Sequence, residues 1–174
     1  MTNRVLVAAT AAVLLAALVA GCGGGGVTLQ KQTLSFTEKQ NDDSSSFADN
    51  PPKSSPSNGD EPMLSNGDQL TFTADMIDSS SKDVGDLDAT CTVTATTTGS
   101  FDDSRAQCLG TATIPGGTLT LSVGGKAFAA GTTRGAVVGG TGDYAGATGS
   151  FTSSDESGTD KPSQDTFQLF IPQP

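Results

Sequence analysis

The sequence predicts an all-β fold, an eight-stranded antiparallel β-barrel that follows an N-terminal export signal. Apolar and polar residues alternate in short runs, whereas no segment after residue 26 shows helical periodicity. Gly, Asp, Ser and Pro separate these runs, as turn residues separate strands. The eight candidate strands are 30–38, 68–77, 87–97, 104–114, 117–123, 134–140, 145–153 and 164–171.

Alternation gives nearly every candidate strand one apolar and one polar face. In 68–77 the apolar face consists of Leu70, Phe72, Ala74 and Met76. In 164–171 Phe167, Leu169 and Ile171 share a face, although Phe170 breaks the pattern. Such strands are typical of an antiparallel sheet with one solvated face. Eight of them joined by short turns favour a closed barrel over a sandwich.

The stretch 42–67 differs from the rest because it is rich in Ser, Pro, Asn and Asp. It is predicted to be a long loop, and loops of that length are usually functional or disordered. Its Asn50-Pro51-Pro52-Lys53 segment is stiff, because the residue before each proline is restricted to extended geometry. A surface linker is the favoured interpretation, and a lid over one barrel mouth is the alternative.

The N-terminus is typical of a secreted protein. Arg4 precedes an apolar run over residues 5–20, which is too short for a comfortable membrane span and suits a signal peptide. The run ends in Leu18-Val19-Ala20-Gly21-Cys22, which resembles the lipobox of bacterial prolipoproteins. We therefore predict a signal peptide at 1–21, a lipidated Cys22 with a Gly-rich tether at 22–29, and a barrel domain at 30–174. The lipid would hold the protein on the extracytoplasmic side of the cell membrane.

The charge of the chain excludes some partners. Nineteen Asp and Glu residues against nine Lys and Arg residues give a net charge of −10. A chain this acidic is repelled by nucleic acid and by anionic headgroups, so we predict no nucleic-acid partner.

Cys91 and Cys108 remain as a pair once Cys22 carries the lipid. An oxidising compartment favours a disulfide between them. If the flanking runs form a hairpin that is symmetric about the turn at 97–103, the two residues lie directly opposite each other, within disulfide range. A zinc site is not predicted, because two Cys and no His do not supply the usual ligands.

Four short passages resemble segments of one known family of proteins. The most specific is a GGTGxYxGAxG segment, formed here by Gly139, Gly140, Thr141, Gly142, Tyr144, Gly146, Ala147 and Gly149. The others are Asn66-Gly67-Asp68 before Leu70-Thr71-Phe72, Val84-Gly85 before Cys91, and Cys108-Leu109-Gly110-Thr111 before Pro115-Gly116-Gly117. In this order, and over roughly residues 30–172, the four passages resemble the allene oxide cyclase and dirigent barrel superfamily.

The resemblance implies an eight-stranded antiparallel barrel and, for the cyclases, an isomerase activity. The same glycines also match the dinucleotide fingerprint G-x-G-x-x-(G/A) at Gly140, Gly142 and Ala145. That fingerprint requires a following helix, and the sequence after Ala145 alternates as a strand does. The glycines are therefore interpreted as permitting a tight turn with positive φ.

The inward faces predict an apolar pocket, since small residues on one wall leave space beside bulky residues on the other. An eight-stranded barrel is just wide enough to hold one small ligand or to be filled by side chains. The predicted pocket-lining residues are Phe36, Leu70, Phe72, Met76, Val93, Ala95, Gly110 and Ala112. In the alternative, Phe128, Phe151, Phe167 and their neighbours fill the interior.

Catalytic candidates are few because the chain has no His. Carboxylates and Tyr144 are the remaining groups that handle protons. Glu38 is the candidate catalytic residue, since alternation from Leu34 and Phe36 places it on the inward face, where burial would raise its pKa. The alternative is a rim carboxylate beside Lys39. Allene oxide cyclases have a first-strand Glu in the pocket, but their motif does not match residues 37–41.

No metal or cofactor is predicted. Asp83, Asp86 and Asp88 lie close together but do not fit an EF-hand calcium loop. A solvated acidic turn between two strands is the favoured interpretation, and Asp75 is placed on an outer face.

Three classes of function follow. The first is a lipid-anchored binder of a small hydrophobic molecule. The second is an isomerase or cyclase, which the resemblance implies and in which a shaped pocket would hold a reactive intermediate away from water. The third is a structural envelope lipoprotein with a filled barrel. The fold alone does not choose among them, and the oligomeric state is left open.

Overall fold

The strands of the barrel account for most of the residues that the structure describes. The computed structural model describes residues 26–40, 44–51, 64–127, 131–154 and 162–173. The strands in these residues are β1 (Thr28–Gln40), β2 (Ser46–Ala48), β3 (Gln69–Ile77), β4 (Asp83–Ala95), β5 (Arg105–Ile114), β6 (Gly117–Gly125), β7 (Thr132–Gly140), β8 (Thr148–Ser154) and β9 (Ser163–Gln173). A short 3-10 helix, Gly142–Tyr144, lies between β7 and β8. Eight of the strands coincide with the predicted strands to within a few residues.

All neighbouring strands are antiparallel, and the sheet closes on itself. Hydrogen bonding runs in the order β1-β9-β8-β7-β6-β5-β4-β3. The end of β1 then pairs with the end of β3, from Thr37 opposite Ile77 to Gln40 opposite Ala74. This pairing joins the two outermost strands, so the prediction of a closed eight-stranded antiparallel barrel is confirmed.

The ninth strand, β2, lies inside the segment 42–67 that was predicted to be a loop. It pairs with the first part of β3, where Phe47 is opposite Leu70. β1 reaches only residues 74–77 of β3, so that first part would otherwise be an open edge. An open strand edge readily accepts another strand. β2 has no alternation of apolar and polar residues that would predict a strand. It is therefore held by its pairing with the edge of β3 that it covers.

Asp68 fixes the chain at two points between β2 and β3. Its fully buried carboxylate accepts hydrogen bonds from the backbone N–H of Asn50 (2.9 Å), the backbone N–H of Ser65 (2.6 Å) and the hydroxyl of Ser65 (2.9 Å). The Gly67-Asp68 pair of the family-like motif is thus a structural clamp.

The hydrophobic core lies inside the barrel and includes side chains from opposite sides of it. Side chains that point inward alternate with exposed ones along each strand. The largest fully buried apolar residues are Met76, Leu119, Phe167 and Leu169. Much of the interior is therefore filled by the protein's own side chains, which limits a ligand site to one part of the barrel.

The predicted disulfide is confirmed. Cys91 on β4 is the register partner of Cys108 on β5, and the two sulfur atoms are bonded across the inner face. The hairpin is symmetric about its turn as expected, apart from a bulge near the turn itself.

That bulge removes one residue, Ala95, from the predicted pocket lining. The register between β4 and β5 shifts between Val93 and Ala95, so that Ala95 is opposite the exposed Arg105. Ala95 therefore leaves the inward series that Val93 continues, because an extra residue in a strand breaks its alternation.

The acidic segment predicted to be a turn is also different, because it belongs to a strand. β4 begins at Asp83, and Asp86 and Asp88 lie on its outer face, where Asp86 is opposite Asp75. The outer-face placement predicted for Asp75 matches this register.

Within the described part of the chain no helix is long and apolar enough to cross a membrane. The predicted signal peptide and Cys22 lie outside the described residues, and so do Phe128 and, in the proline-containing segment, Pro52 and Lys53.

Candidate functional site

The two ends of the barrel are built differently. We call the end at which β1, β4, β6 and β8 finish the mouth, and the opposite end the closed end. At the closed end, residues 115–116 join β5 to β6, and residues 141–147 join β7 to β8. The mouth carries the connections from β1 to β3 and from β8 to β9, which are longer. Binding sites of barrels lie preferentially at such loop-bearing ends.

Tyr144 fills the closed end. The buried ring belongs to the same core cluster as Ile114, Leu119 and Ile171. Its hydroxyl donates a hydrogen bond to the carbonyl oxygen of Pro115 (2.8 Å) in the β5–β6 turn. Burial, and then the nearby charge of Asp143, raise the pKa of the Tyr144 phenol, so it stays protonated and remains a donor.

The glycines of the family-like motif allow two turns to touch. The backbone N–H of Asp143 donates to the carbonyl oxygen of Gly116 (2.8 Å). A Cβ on Gly142 would collide with that same carbonyl oxygen, and a Cβ on Gly117 would collide with the carbonyl oxygen of Thr141. Gly142 also has φ of 61°, which glycine adopts without strain.

Each motif residue therefore has a structural place at or near the closed end. Thr141 continues the contact between the turns, since its hydroxyl lies 2.7 Å from that of Thr118. Ala147 is fully buried, and Gly146 has a positive φ of 72°. A Cβ on Gly149 would collide with the carbonyl oxygen of Gln168. Gly140 lies close to the backbone of Tyr144 and Thr118, whereas Gly139 has open space around it.

Glu38 lies at the mouth on the inward side of β1, as the alternation predicted. Its register partners are Met76 on β3 and Ser163 on β9. Met76 is fully buried, while Glu38 and Ser163 are half-buried. The carboxylate is thus at the edge of the core, beside the first residue of β9.

A second carboxylate, Asp165, lies beside it and was missed by the sequence analysis. Asp165 is fully buried on β9, with Phe36 and Ser153 as its register partners. Because Glu38 is two residues from Phe36 on the same face, the two carboxylates are diagonal neighbours, about 7–8 Å apart at Cα. Strand alternation could have identified Asp165, since it continues the inward series of Phe167, Leu169 and Ile171 by one step.

Three phenylalanines form the wall next to these carboxylates. The Phe36 and Phe167 ring centroids are 6.1 Å apart in an edge-to-face arrangement. The Phe151 and Phe167 centroids are 5.2 Å apart with tilted planes. Phe36 keeps some exposure, whereas Phe151 and Phe167 are buried. The mouth thus combines an aromatic surface with two acidic groups, a combination that suits an apolar ligand bearing a polar group.

The other predicted pocket residues divide into two groups. Leu70, Phe72 and Gly110 face inward and keep some exposure. Met76, Val93 and Ala112 also face inward but are buried in the packed core. The accessible part of the inner surface is therefore smaller than the predicted pocket.

A groove of about 380 Å³ lies on the outer surface of β3, β4 and β5. Most of its lining residues alternate with inward ones and so face outward, among them Thr71, Thr73, Asp88, Thr90, Leu109 and Thr111. The Thr73 hydroxyl donates to the Asp88 carboxylate (2.8 Å), and the Ser44 hydroxyl donates to the Thr73 carbonyl oxygen (2.8 Å). The groove lies outside the barrel, unlike the expected interior pocket, and sequence reasoning did not single it out.

The mouth also carries an acidic loop residue, Asp103, between β4 and β5. Hydrogen bonds from the side chains of Thr97 and Thr98 and from the Thr98 backbone lower the pKa of this carboxyl below its ordinary range. The Thr98 N–H lies 2.9 Å from the carboxylate. In the described ranges no group of three or more His, Cys, Asp or Glu side chains is arranged to hold a metal ion.

The fold and the site define a class of protein, a closed antiparallel barrel with one capped end and one mouth that contains aromatic and acidic side chains. No protein family and no curated protein matches the sequence. Solved structures do match the fold. Pyocyanin demethylase is similar with a TM-score of 0.62 and 21% identity, over 79% of this chain and 99% of its own.

Two further structures extend the comparison. A pterocarpan synthase dirigent protein has a TM-score of 0.57 and 17% identity, over 84% of this chain and 92% of its own. An exo-specific intermolecular Diels-Alderase has a TM-score of 0.57 and 12% identity, over 81% of this chain and 98% of its own. At these identities the similarity establishes the fold. The resemblance to allene oxide cyclase and dirigent barrels is therefore confirmed at that level.

Proposed function

We propose that this chain is a lipid-anchored extracytoplasmic protein whose barrel binds a small hydrophobic molecule at the mouth. The observation that carries the proposal is the exposed edge of the aromatic wall: Phe36 faces inward, remains partly accessible, and is the register partner of the buried Asp165. An aromatic surface provides most of the binding free energy of an apolar ligand, and a nearby polar group orients it.

The similar barrels support a small molecule as the ligand. By their names, they carry out a demethylation, a pterocarpan synthesis and a Diels-Alder reaction. The anchoring part of the proposal rests on the lipobox-like sequence around Cys22. β1 begins at the closed end, so a tether from Cys22 would leave the barrel at the end opposite to the mouth.

The binding test begins with a thermal-shift screen of polycyclic and polyunsaturated compounds on the soluble Cys22→Ser protein. A compound that raises the melting temperature and is recovered unchanged supports the binder. Phe36→Ala should then weaken its binding by about tenfold or more, because roughly 1.5–3 kcal/mol of apolar burial is lost. Leu109→Ala on the outer surface is the matched control and should leave the affinity unchanged. Equal affinities in all three proteins would refute a site at the mouth.

The anchor has its own test. The wild-type protein expressed in bacteria should partition into detergent, and Cys22→Ser should move it to the aqueous phase. Unchanged partitioning of Cys22→Ser would refute lipid attachment at this residue.

A cyclase or isomerase is the second candidate, and the pair Glu38 and Asp165 favours it. Two carboxylates on adjacent strands, one half-buried and one fully buried, offer a proton donor and acceptor beside an apolar surface. If a screened compound is converted, Glu38→Gln should lower turnover by roughly 10²–10⁴ while preserving the fold. Asp86→Asn removes the same charge from the outer face and should leave turnover unchanged. Equal turnover in Glu38→Gln would exclude Glu38 as the catalytic group.

A further inference from the structure

The acidic residues of the barrel wall are unevenly distributed. On the outer faces of the described strands, Asp and Glu are confined to β3 and β4, as in Asp75, Asp86 and Asp88. The outer faces of the wall formed by β7, β8, β9 and β1 have none, and they carry Lys31, Lys39 and Arg134, all exposed. In a chain with a net charge of −10 this wall is basic. We call it the basic wall.

The basic wall also carries most of the exposed apolar side chains. Phe170 on β9 is 42% exposed and is the register partner of Lys31 on β1. Leu29 on β1 is 54% exposed, and Val138 on β7 is 53% exposed. Val27, just before β1, is 66% exposed. Leu29 and Phe170 lie on the adjacent strands β1 and β9, whereas Val138 on β7 is separated from Phe170 by β8, on which Thr148 is the register partner of Phe170. We call Val27, Leu29, Val138 and Phe170 the apolar patch; it lies on the part of the wall nearer the closed end, and exposed apolar side chains grouped in this way mark interaction surfaces.

The patch lies where the chain enters the barrel. Val27 is five residues after Cys22, and five extended residues span at most about 18 Å. A lipid on Cys22 would therefore hold the bilayer surface within reach of the patch. The mouth is at the other end of the same strands and would remain away from the anchoring point.

We propose that the basic wall docks on the membrane, with the apolar patch in the interfacial region and Lys31 and Arg134 facing anionic headgroups. This inference rests on the lipid anchoring proposed above. Apolar side chains combined with basic ones are the features that hold a protein surface at a bilayer. The average charge of the chain predicts repulsion from anionic headgroups, but the outward acidic side chains of the described strands lie on β3 and β4. The nearest of them, Asp75, is the register partner of Lys39 at the far end of β1 from the patch.

A single tryptophan can report the contact, because the natural chain has none. Phe170→Trp places the reporter in the apolar patch. Leu109→Trp places it on β5, on the other side of the barrel, at a position that is also exposed. Each lipidated full-length variant is reconstituted in vesicles of phosphatidylcholine and phosphatidylglycerol whose acyl chains carry bromine, a contact quencher of tryptophan fluorescence.

The emission of Phe170→Trp should fall about twofold or more in brominated vesicles, because interfacial side chains reach the acyl boundary. The emission of Leu109→Trp should stay the same in brominated and ordinary vesicles. Adding Lys31→Gln and Arg134→Gln to Phe170→Trp should reduce the quenching. The control adds Lys126→Gln and Lys82→Gln instead, which removes two basic groups outside the wall and should leave the quenching unchanged.

The outcomes separate this inference from the function on which it depends. Protein that floats with vesicles but shows equal emission for both tryptophan variants overturns the docking and leaves the anchor intact. Protein that does not float overturns the anchor and the docking together. If sedimentation shows a dimer that Phe170→Ser dissociates, the wall is an interface with a second copy of the chain. That result would also overturn the docking.

Discussion

The closed end and the mouth of the barrel differ in how they are packed and in the side chains that they contain. At the closed end, two short turns touch through their backbones, and a tyrosine ring fills the space below them. At the mouth, the connections are longer, and the inward residues include Glu38 and Asp165. Close backbone packing at one end supplies stability, which allows the other end to hold acidic groups that are costly to bury. The contrast indicates that the family-like motif maintains the fold, whereas the proposed ligand site is at the opposite end.

The largest effect is expected from a substitution that separates the two turns. Gly142→Val introduces a Cβ against the Gly116 carbonyl oxygen at a residue with positive φ. We expect it to lower the free energy of unfolding by about 3 kcal/mol, measured by urea denaturation followed by circular dichroism.

Gly139→Ala is the matched control, because no atom lies within 4 Å of the added Cβ. Its effect should stay within about 0.5 kcal/mol. Equal stabilities of the two variants would mean that the contact between the turns does not stabilise the closed end.

A smaller effect is expected from Tyr144→Phe, which removes the hydrogen bond to Pro115 and keeps the ring. The loss should be about 1 kcal/mol in the free energy of unfolding. Burial raises the pKa of Tyr144 above its ordinary value of 10.0, so the folded state favours the neutral phenol. This contribution is complete below pH 10 and is lost as the pH rises through the higher folded pKa.

The alkaline titration can be followed directly because Tyr144 is the single tyrosine of the chain. The ultraviolet absorbance of tyrosinate should appear at a higher pH in folded protein than in urea. Tyr144→Phe should lack this alkaline loss of stability. A tyrosine that titrates at its ordinary pKa in folded protein would contradict the capped arrangement of the closed end.

The smallest effect is expected at the mouth, in Asp103→Asn. Hydrogen bonds from Thr97 and Thr98 lower the pKa of Asp103, so the folded state favours the carboxylate. Its contribution is complete above the ordinary pKa of 3.8 and is lost as the pH falls through the lower folded pKa. The Thr98 amide resonance should titrate with that low pKa, and in Asp103→Asn this titration should vanish.

Asp102→Asn serves as the comparison, since it removes the same charge from the adjacent exposed residue. It should leave the titration of the Thr98 amide in place. The two ends would then respond to opposite extremes of pH, the mouth to acid and the closed end to alkali. A Thr98 amide that titrates identically in Asp103→Asn would refute this assignment.

Most of the fold could be predicted because strand alternation is a local property. The eight barrel strands and the pairing of Cys91 with Cys108 follow from alternation and from a hairpin that is symmetric about its turn. β2 could not be predicted, since its three residues are held by the open edge of β3. Ala95 was misplaced because a bulge depends on the partner strand as well as on the bulged one.

The candidate site was predicted only in part. The position of Glu38 follows from the alternation of β1, and the same rule applied one step further along β9 would have reached Asp165. Phe170, which interrupts the pattern of the last strand, is outward and exposed, so the interruption marks an external surface.

By itself the sequence determined where the strands run and which side chains share a face, because both depend on a period of two residues along one chain. The tertiary structure alone decided which faces meet. Closure of β1 onto β3 placed Glu38 beside Met76, and pairing of β1 with β9 placed it diagonally from Asp165. The same closure gathered Leu29, Val138 and Phe170 on one wall and left Asp75 and Asp86 on another. Neighbours around a barrel are set by register between distant strands, and no local pattern encodes that register.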